Sequence, residues 1–294
     1  MNDEAKLYYF FHNSNEMKTF INRFEFRFLV NRNGNFIGRL RNLFLIVFPN
    51  EYKLRVSGSL HKFYKGENHS TFTRRENEFA LIELEELIKI PLEKFKVKGI
   101  AVGLNIRLND LPENYLPIPI SYRNKLFREY PPKQGNRIIE RICNGVEMSS
   151  KFYDKSAQFY QTEKVRLYSP LIFRFERVFH KMRGLHKKFN RTHLTAQDLT
   201  TELFLVTMAK NHLLHFETID KKLEMNLSNI TPRDYCFIES FPNIPPEIKK
   251  KHKESYKKDR SYYLKLKKTL QFSDSKVKEL REKFKNEVEK ILSD

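Results

Sequence analysis

The sequence contains no tryptophan, only two cysteines and no long apolar run. Cys143 and Cys236 fit neither a disulfide framework nor a Cys-x-x-Cys metal site, so we expect the protein to reside in a reducing cytoplasm. No stretch approaches the roughly 18 apolar residues of a membrane-spanning helix. Residues 1–6 do not form the charged and then apolar leader of a secreted protein. We therefore expect neither secretion nor a membrane partner.

Positive charge, by contrast, is abundant. The chain carries 55 Lys and Arg against 36 Asp and Glu, a net charge of +19, which is typical of proteins that bind a phosphate backbone. The excess is local, because residues 151–195 hold eleven basic and three acidic side chains, and residues 246–294 hold sixteen and nine. We therefore expect DNA as a partner, bound near the first of these blocks.

Two short segments in the first basic block, residues 151–160 and 171–179, alternate in chemistry as strands do. The alternation predicts Tyr153 and Lys155 on one face of the first strand, and Arg174 and Glu176 on one face of the second. If the strands pair, these side chains converge and supply a hydroxyl, cations and a metal-binding carboxylate, as phosphodiester transfer requires. The alternative is an ordinary surface ion pair beside a half-buried sheet tyrosine.

The first half of the chain resembles antiparallel sheet with a helix packed on it. Alternating or apolar runs predict strands over residues 24–30, 43–48, 52–60 and 100–108. Thr73 and Glu76 form a capping-box pattern that predicts the start of a helix ending before Pro91. Its predicted apolar stripe consists of Phe79, Ile82, Leu87 and Ile90.

In the second half of the chain, the predicted secondary structure changes near residue 109 and again near residue 195. Residues 109–150 are rich in Pro, Asn and Gly and predict an irregular excursion that either gates a site or is a plain insertion. Helical patterns dominate after residue 195. We therefore predict an α+β fold, with an antiparallel-sheet, nuclease-like domain and its packed helices over residues 1–194. A basic, mainly helical domain would follow over residues 195–294.

Seven short motifs carry a resemblance to a known family. In order they are SGSLHKF at 57–63, GEN at 66–68, GLNI at 103–106, YDK at 153–155, FRFE at 173–176, KMR at 181–183 and LTAQDL at 194–199. This series resembles the rolling-circle replication initiation proteins of phages and plasmids, similar to the filamentous-phage gene II product family. The resemblance spans residues 55 to about 200, and the specificity lies in the order of the motifs.

The resemblance implies a metal-dependent enzyme that nicks one DNA strand at an origin by tyrosine attack on phosphorus. Tyr153 would be the nucleophile, with Tyr160 in reserve. Lys155 would stabilise the phenolate or the phosphate, and Arg174 would clamp the scissile phosphate. The implied partners are single-stranded or origin DNA and the host replication machinery.

The implied cofactor is Mg²⁺ or Mn²⁺, for which the candidate ligands are Glu176, His61 and Asp154. The alternative to a metal-binding role for His61 is a structural one, in which its ring is held by hydrogen bonds at the end of a strand. Related initiators tend to carry an acidic residue two positions before the glycine of the GLNI motif, where this chain has Ala101. Because that carboxylate is missing, two alternatives remain: the protein is a divergent but active initiator, or it is a relative whose nicking activity is impaired.

Candidate DNA-binding residues are cations near the site and in the basic block: Lys62, Lys181, Arg183, Lys187, Lys188 and Arg191. The rival function is a noncatalytic, basic DNA- or RNA-binding protein. A ribosome- or membrane-surface binder acting through the Lys-rich C-terminal region also fits the charge, although it leaves the motifs unexplained. The observation that separates the first two is whether the Tyr153 hydroxyl and the Glu176 carboxylate open into the same basic groove.

Overall fold

The computed structural model describes residues 2–24, 28–130, 139–164, 171–222, 231–241, 244–271 and 275–293. The fold is α+β, as predicted, and every described strand pair is antiparallel. The strands are β1 Asn2–Phe10, β2 Phe28–Val30, β3 Phe36–Leu40, β4 Leu43–Phe48, β5 Lys53–Ser59, β6 Lys96–Arg107, β7 Pro119–Tyr122, β8 Lys125–Leu126, β9 Arg128–Tyr130, β10 Glu140–Asn144, β11 Met148–Asp154, β12 Ile172–Phe179 and β13 Asp220–Lys221.

Ten α-helices accompany these strands in the described part of the chain. They are α1 Ser14–Arg23, α2 Leu60–Lys65, α3 Arg74–Ile88, α4 Lys155–Glu163, α5 Arg183–Lys188, α6 Glu202–Thr218, α7 Pro232–Ser240, α8 Pro246–Lys251, α9 Lys253–Gln271 and α10 Ser275–Ser293. None of them is long and apolar enough to cross a membrane.

One sheet holds ten strands in the order β2-β3-β4-β5-β1-β6-β12-β11-β10-β9, and a small second sheet has the order β13-β7-β8. The first strand of the chain lies in the middle of the large sheet, between β5 and β6. The paired strands β6, β12 and β11 follow it across the sheet. This order brings the first residues of the chain next to the strands that carry the predicted site.

The predicted strands are found as β4, β5, β6 and β12, while β1 and β3 were not anticipated. Of the strand predicted over residues 24–30, the structure shows β2, and residues 25–27 lie outside the described part. The predicted irregular excursion over residues 109–150 contains short strands, β7 to β10, and the start of β11. Short strands of two to five residues carry too little alternation to be recognised from sequence.

The predicted capping box at the start of α3 is confirmed. Thr73 Oγ1 accepts a hydrogen bond from the Glu76 backbone N–H, and Glu76 Oε2 accepts one from the Thr73 backbone N–H. The predicted inward stripe was mostly wrong, because Phe79, Ile82 and Leu87 are exposed. The buried face consists instead of Asn77, Ala80, Leu81, Leu84 and Ile88. The helix has two apolar rows, and packing against the fold selects only one of them.

The strand predicted over residues 151–160 ends at Asp154, and helix α4 begins at Lys155. The Asp154 carboxylate accepts a hydrogen bond from the Ala157 backbone N–H at 2.9 Å, which satisfies a free donor of the first helical turn. This N-cap converts the strand into a helix. Lys155 therefore does not share a strand face with Tyr153, as the alternation had predicted.

The C-terminal region contributes to the core of the sheet. Phe216 of α6 and Phe284 of α10 lie 6.1 and 5.7 Å from the ring of Phe175 on β12. Helix α10 also buries Val277 and Leu280, so its apolar face is not solvated. The domain boundary near residue 194 stays a prediction, and one hydrophobic cluster includes side chains from both sides of it.

Candidate functional site

The two site strands, β11 and β12, pair with each other, which is the condition on which the sequence interpretation of the site depended. Tyr153 on β11 lies opposite Arg174 on β12, and Lys151 lies opposite Glu176. The Tyr153 hydroxyl donates a hydrogen bond to Glu176 Oε2 at 3.0 Å. Arg174 Nε donates to the same oxygen, also at 3.0 Å. Strand pairing therefore brings the phenol, the guanidinium and the carboxylate into direct contact.

Arg174 is almost fully buried, with 2% of its surface exposed, and all three of its nitrogens make hydrogen bonds. Besides Glu176, its guanidinium donates to Asp3 Oδ2 at 2.7 Å and to Asn105 Oδ1 at 2.8 Å. The group lies directly over Gly103, where a Cβ atom would sit 2.3 Å from Nη2. Position 103 therefore admits only glycine while Arg174 keeps this position.

Asp3 on β1 is the main site residue that sequence reasoning missed. It is buried, and Ser59 Oγ donates to its second oxygen at 2.6 Å. The next residue, Glu4, lies opposite Ala101 on β6. The acidic residue expected at position 101 is thus absent from β6, while β1 supplies two carboxylates nearby. The alternation of Ala5, Leu7 and Tyr9 with polar neighbours is the signal that predicts β1.

Tyr153 and Glu176 line one cavity of about 240 Å³. The observation that separates the catalytic from the noncatalytic function is therefore met in part: the two residues share one cavity, but the cavity is not basic. Its charged walls hold three lysines and five acids: Lys62, Lys151, Lys155, Asp3, Glu4, Glu140, Glu163 and Glu176. The positive charge of the sequence is therefore concentrated elsewhere on the molecule.

Burial changes the acid–base properties of this cavity. It raises the pKa of Tyr153 well above its usual range, although the positive charge of Arg174 opposes the change. Burial, followed by the charge of Arg174, lowers the pKa of Lys155 to about 8. Glu4 is exposed at the surface, but partial desolvation by the surrounding protein, followed by the charges of Asp3 and Glu176, raises its pKa. At neutral pH the phenol is therefore protonated, and Lys155 can both give and take a proton.

Lys155 lies close to Tyr153 although it belongs to α4. It is 4% exposed, and its ammonium is 5.8 Å from the centre of the Tyr153 ring. It donates a hydrogen bond to Gln158 Oε1 at 2.9 Å. The reserve tyrosine, Tyr160, is exposed on α4 and is absent from the residues that line the cavity in the described structure.

The three predicted metal ligands do not come together. Asp154 caps α4, while His61 stacks on Phe72 with ring centres 4.6 Å apart. Burial lowers the pKa of His61 to about 4, and its Nε2 lies 3.3 Å from Ser70 Oγ. Within the described residues, no group of three or more His, Cys, Asp or Glu side chains is placed to hold a metal ion.

The carboxylate oxygens at the site already have protein partners. Glu176 Oε2 accepts from Tyr153 and Arg174, and both oxygens of Asp3 accept hydrogen bonds. The Arg174 guanidinium donates hydrogen bonds to both acids, and its single positive charge offsets part of their negative charge. The residues as placed do not form a metal centre, so Mg²⁺ or Mn²⁺ stays a prediction.

The predicted DNA-binding residues fall on two separate surfaces. Lys62 forms an ion pair of 2.7 Å with Glu163 at the cavity beside Tyr153. Lys181 and Lys188 line a different cavity. Arg183 and Lys187 are exposed on α5, and Arg191 is exposed just after it. In the described structure none of these five cations from the basic block lines the Tyr153 cavity.

Comparisons with models of protein families and with curated proteins gave no match. Among solved structures, the chain is similar to a rolling circle replication initiator protein from Geobacillus stearothermophilus. The two are 11% identical, the alignment covers 74% of this chain and 84% of that chain, and the TM-score is 0.41. A likeness of this size assigns neither a family nor an activity.

Proposed function

We propose that the protein initiates rolling-circle replication by nicking one DNA strand, with Tyr153 as the nucleophile. The observation that supports this best is the 3.0 Å hydrogen bond from the Tyr153 hydroxyl to the buried Glu176 carboxylate, in a cavity that also holds three lysines. The pairing of a nucleophile with a base within hydrogen-bond distance is typical of covalent catalysis. DNA is proposed as the substrate because the seven ordered motifs resemble those of rolling-circle replication initiation proteins.

In the proposed reaction, the Tyr153 oxygen forms a bond to phosphorus while the bond from phosphorus to the 3′ oxygen breaks. Because the pKa of Tyr153 is raised, the phenol is protonated at neutral pH and needs a base to remove its proton. In the proposed reaction Glu176 accepts this proton. Lys155, whose pKa is about 8, gives a proton to the departing 3′ oxygen. The 5′ phosphate stays on Tyr153 and the 3′ hydroxyl is free to prime synthesis.

Arg174 has a different role here from the phosphate clamp that the sequence predicted. Its nitrogens are held by Asp3, Asn105 and Glu176. It therefore acts as a positioning residue that orients Glu176, and Lys151 and Lys155 are the cations that meet the phosphate. Lys62 and Glu163 form an ion pair that also lines the cavity, so the DNA strand would pass beside it on the way to Tyr153.

The test is incubation of the full chain with a pool of random-sequence single-stranded oligonucleotides, without metal and with Mg²⁺ or Mn²⁺. A denaturing gel and peptide mapping detect a covalent adduct. Wild type and the matched control Tyr160→Phe should form the adduct, while Tyr153→Phe should not. Glu176→Gln should lower adduct formation at least about tenfold, since general-base catalysis contributes about 10²–10⁴-fold.

A second candidate is noncatalytic nucleic-acid binding, favoured by the burial of Tyr153, of which 5% is exposed. In that case the phenol and Arg174 form a structural network. Wild type would then bind DNA without an adduct under every metal condition, and Tyr153→Phe would bind equally well. An adduct that maps to Tyr160 would keep the chemistry and reject our choice of nucleophile.

A further inference from the structure

A larger cavity, of about 470 Å³, lies on the opposite face of the two site strands. Successive residues of a strand point to opposite faces of a sheet. The Arg177 side chain therefore projects from the face opposite the one that carries Glu176. The cavity is bounded by β11, β12, α5, α6 and the turn between β7 and β8. Its apolar and aromatic walls are Tyr122, Cys143, Met148, Phe179, Leu185 and Met208.

Positive charge dominates the polar part of this second cavity. Five cations line it, and Glu147 is the one acid among its described lining residues. The cations are Arg123, Lys125, Arg177, Lys181 and Lys188. This is the reverse of the Tyr153 cavity, where acids outnumber lysines. Three of the five, Arg177, Lys181 and Lys188, belong to the basic block of residues 151–195.

Arg177 is the most informative of these cations because it is buried, with 9% of its surface exposed. It donates to the Asn211 carbonyl oxygen at 3.0 Å and to Met148 Sδ at 3.2 Å, and it lies 4.8 Å from the Phe179 ring. In the described part of the chain no carboxylate forms an ion pair with it. A buried charge without a counter-charge is costly, and an anionic ligand would offset that cost.

The groups around Arg177 do not neutralise it. Burial lowers its pKa to about 10, so it stays protonated at neutral pH. His215 is hydrogen-bonded to Ser150 Oγ, and burial lowers its pKa to about 3; burial lowers the pKa of His212 as well. Both histidines are uncharged at neutral pH and bring no negative charge. The cavity therefore keeps its net positive charge.

We propose that this cavity binds a nucleotide, with its phosphate on Arg177 and the neighbouring lysines and its base against the apolar wall. The volume falls within the roughly 300–1,000 Å³ of small-ligand sites, which combine apolar walls with a few charged groups. The nucleotide is either free or one unit of a bound single strand. The proposal goes beyond nicking, since this cavity lies on the other side of the sheet from Tyr153.

The first experiment titrates the full chain with deoxythymidine 5′-monophosphate, and separately with inorganic phosphate, by calorimetry. Two kinds of variant separate charge from shape. Lys125→Gln with Lys181→Gln removes two cations and should weaken nucleotide binding about tenfold or more, since hydrogen bonds between charged groups are stronger than neutral ones. Lys257→Gln with Lys285→Gln, both exposed outside the cavity, is the matched control and should bind as wild type.

Gly184→Leu tests the shape of the cavity without changing its charge. A Cβ atom at Gly184 would have no heavy-atom neighbour closer than 3.9 Å, and the residue lies in helix α5 and lines the cavity. The Cβ atom is therefore accommodated at the cavity wall, and we expect the rest of the leucine side chain to reduce the cavity and to abolish nucleotide binding. Arg177→Met should do the same; if it fails to fold, as seen by circular dichroism, the other two variants decide.

Competition with oligothymidylate distinguishes the two sources of the nucleotide. Displacement of the mononucleotide identifies a site for one unit of the strand, and unaffected binding identifies a site for a free nucleotide. The proposal is overturned if wild type does not bind the mononucleotide, or if the lysine and Gly184 variants bind it as wild type does. Tyr153→Phe should keep nucleotide binding, so failure of the nicking proposal is seen separately.

Discussion

Arg174 and Arg177 lie three residues apart on the same strand, both are buried, and they point to opposite faces of the sheet. Burial alone would lower the pKa of Arg174, but Tyr153, Asp3 and Glu176 together outweigh that effect and raise it. Arg177 has no acid partner in the described structure, and burial lowers its pKa. Arg174 therefore contributes to the structure of the Tyr153 cavity, whereas we propose that Arg177 binds an anionic ligand.

The comparison predicts very different costs for removing the two guanidinium groups. Arg174→Met leaves the buried acids Asp3 and Glu176 without their cation and should lower the free energy of unfolding by about 3–5 kcal/mol. Arg177→Met removes a buried charge that has no acid partner and should cost about 1 kcal/mol or less, for its lost hydrogen bonds. Urea denaturation at pH 7 measures both. Equal losses would show that Arg177 is structural as well.

The glycines near the two arginines sharpen the comparison. A Cβ atom at Gly103 would collide with Arg174, so Gly103→Ala should displace the guanidinium and cost about 1–3 kcal/mol. Gly184→Ala, in α5 beside the second cavity, meets no close atom and should stabilise the protein by up to about 1 kcal/mol. Thermal melting with the same urea series checks both values. A neutral Gly103→Ala would mean that Arg174 tolerates displacement.

We expect the free energy of unfolding to fall at acid pH because two histidines, His215 and His61, are buried in the fold. Below the ordinary pKa of 6.5 the unfolded chain binds a proton at His215, while the folded chain binds it only near pH 3, so stability falls as the pH drops between these values. His61 behaves in the same way down to about pH 4. His215→Gln should reduce the slope of unfolding free energy against pH by about 1.4 kcal/mol per unit.

The matched control for this pH series is His193→Gln, since His193 is exposed. Unfolding free energies from urea titrations between pH 4.5 and 7 give the slopes. Asp3 acts in the same direction at lower pH, because its pKa is lowered by Arg174 and Ser59 against the effect of burial: its contribution is complete above the ordinary value of 3.8 and is lost as the pH falls further. An unchanged slope in His215→Gln would place the proton uptake on another group.

The smallest expected effect concerns the exposed cations of the basic block. Replacement of Lys187, Lys188 and Arg191 by Ala should reduce the slope of log affinity for single-stranded DNA against log salt by about two, at roughly 0.7 per phosphate contact. Fluorescence anisotropy at several salt concentrations measures the slope. Replacement of Lys18, Lys89 and Lys94, which are exposed outside the basic blocks, should change it less. Equal changes would mean that DNA follows the charge without preferring this face.

Sequence patterns predicted the local parts of this fold well. The capping box of α3, the strands β4 to β6 and the shared strand face of Arg174 and Glu176 all depend on residues close in sequence or on regular alternation. The errors came where two local signals compete. Asp154 is both the last residue of a strand and a helix cap, and α3 has two apolar rows of which packing buries one.

The sequence by itself determined the α+β class, the basic character, and the nearness of a phenol, a guanidinium and a carboxylate. Only the tertiary structure decided how these groups are used. Insertion of β1 beside β6 brought Asp3 to Arg174 across 171 positions of sequence, and this contact turned an expected phosphate clamp into a buried ion pair. Such contacts follow from strand order and burial, which local periodicity does not encode, and the same strand order leaves Arg177 without an acid.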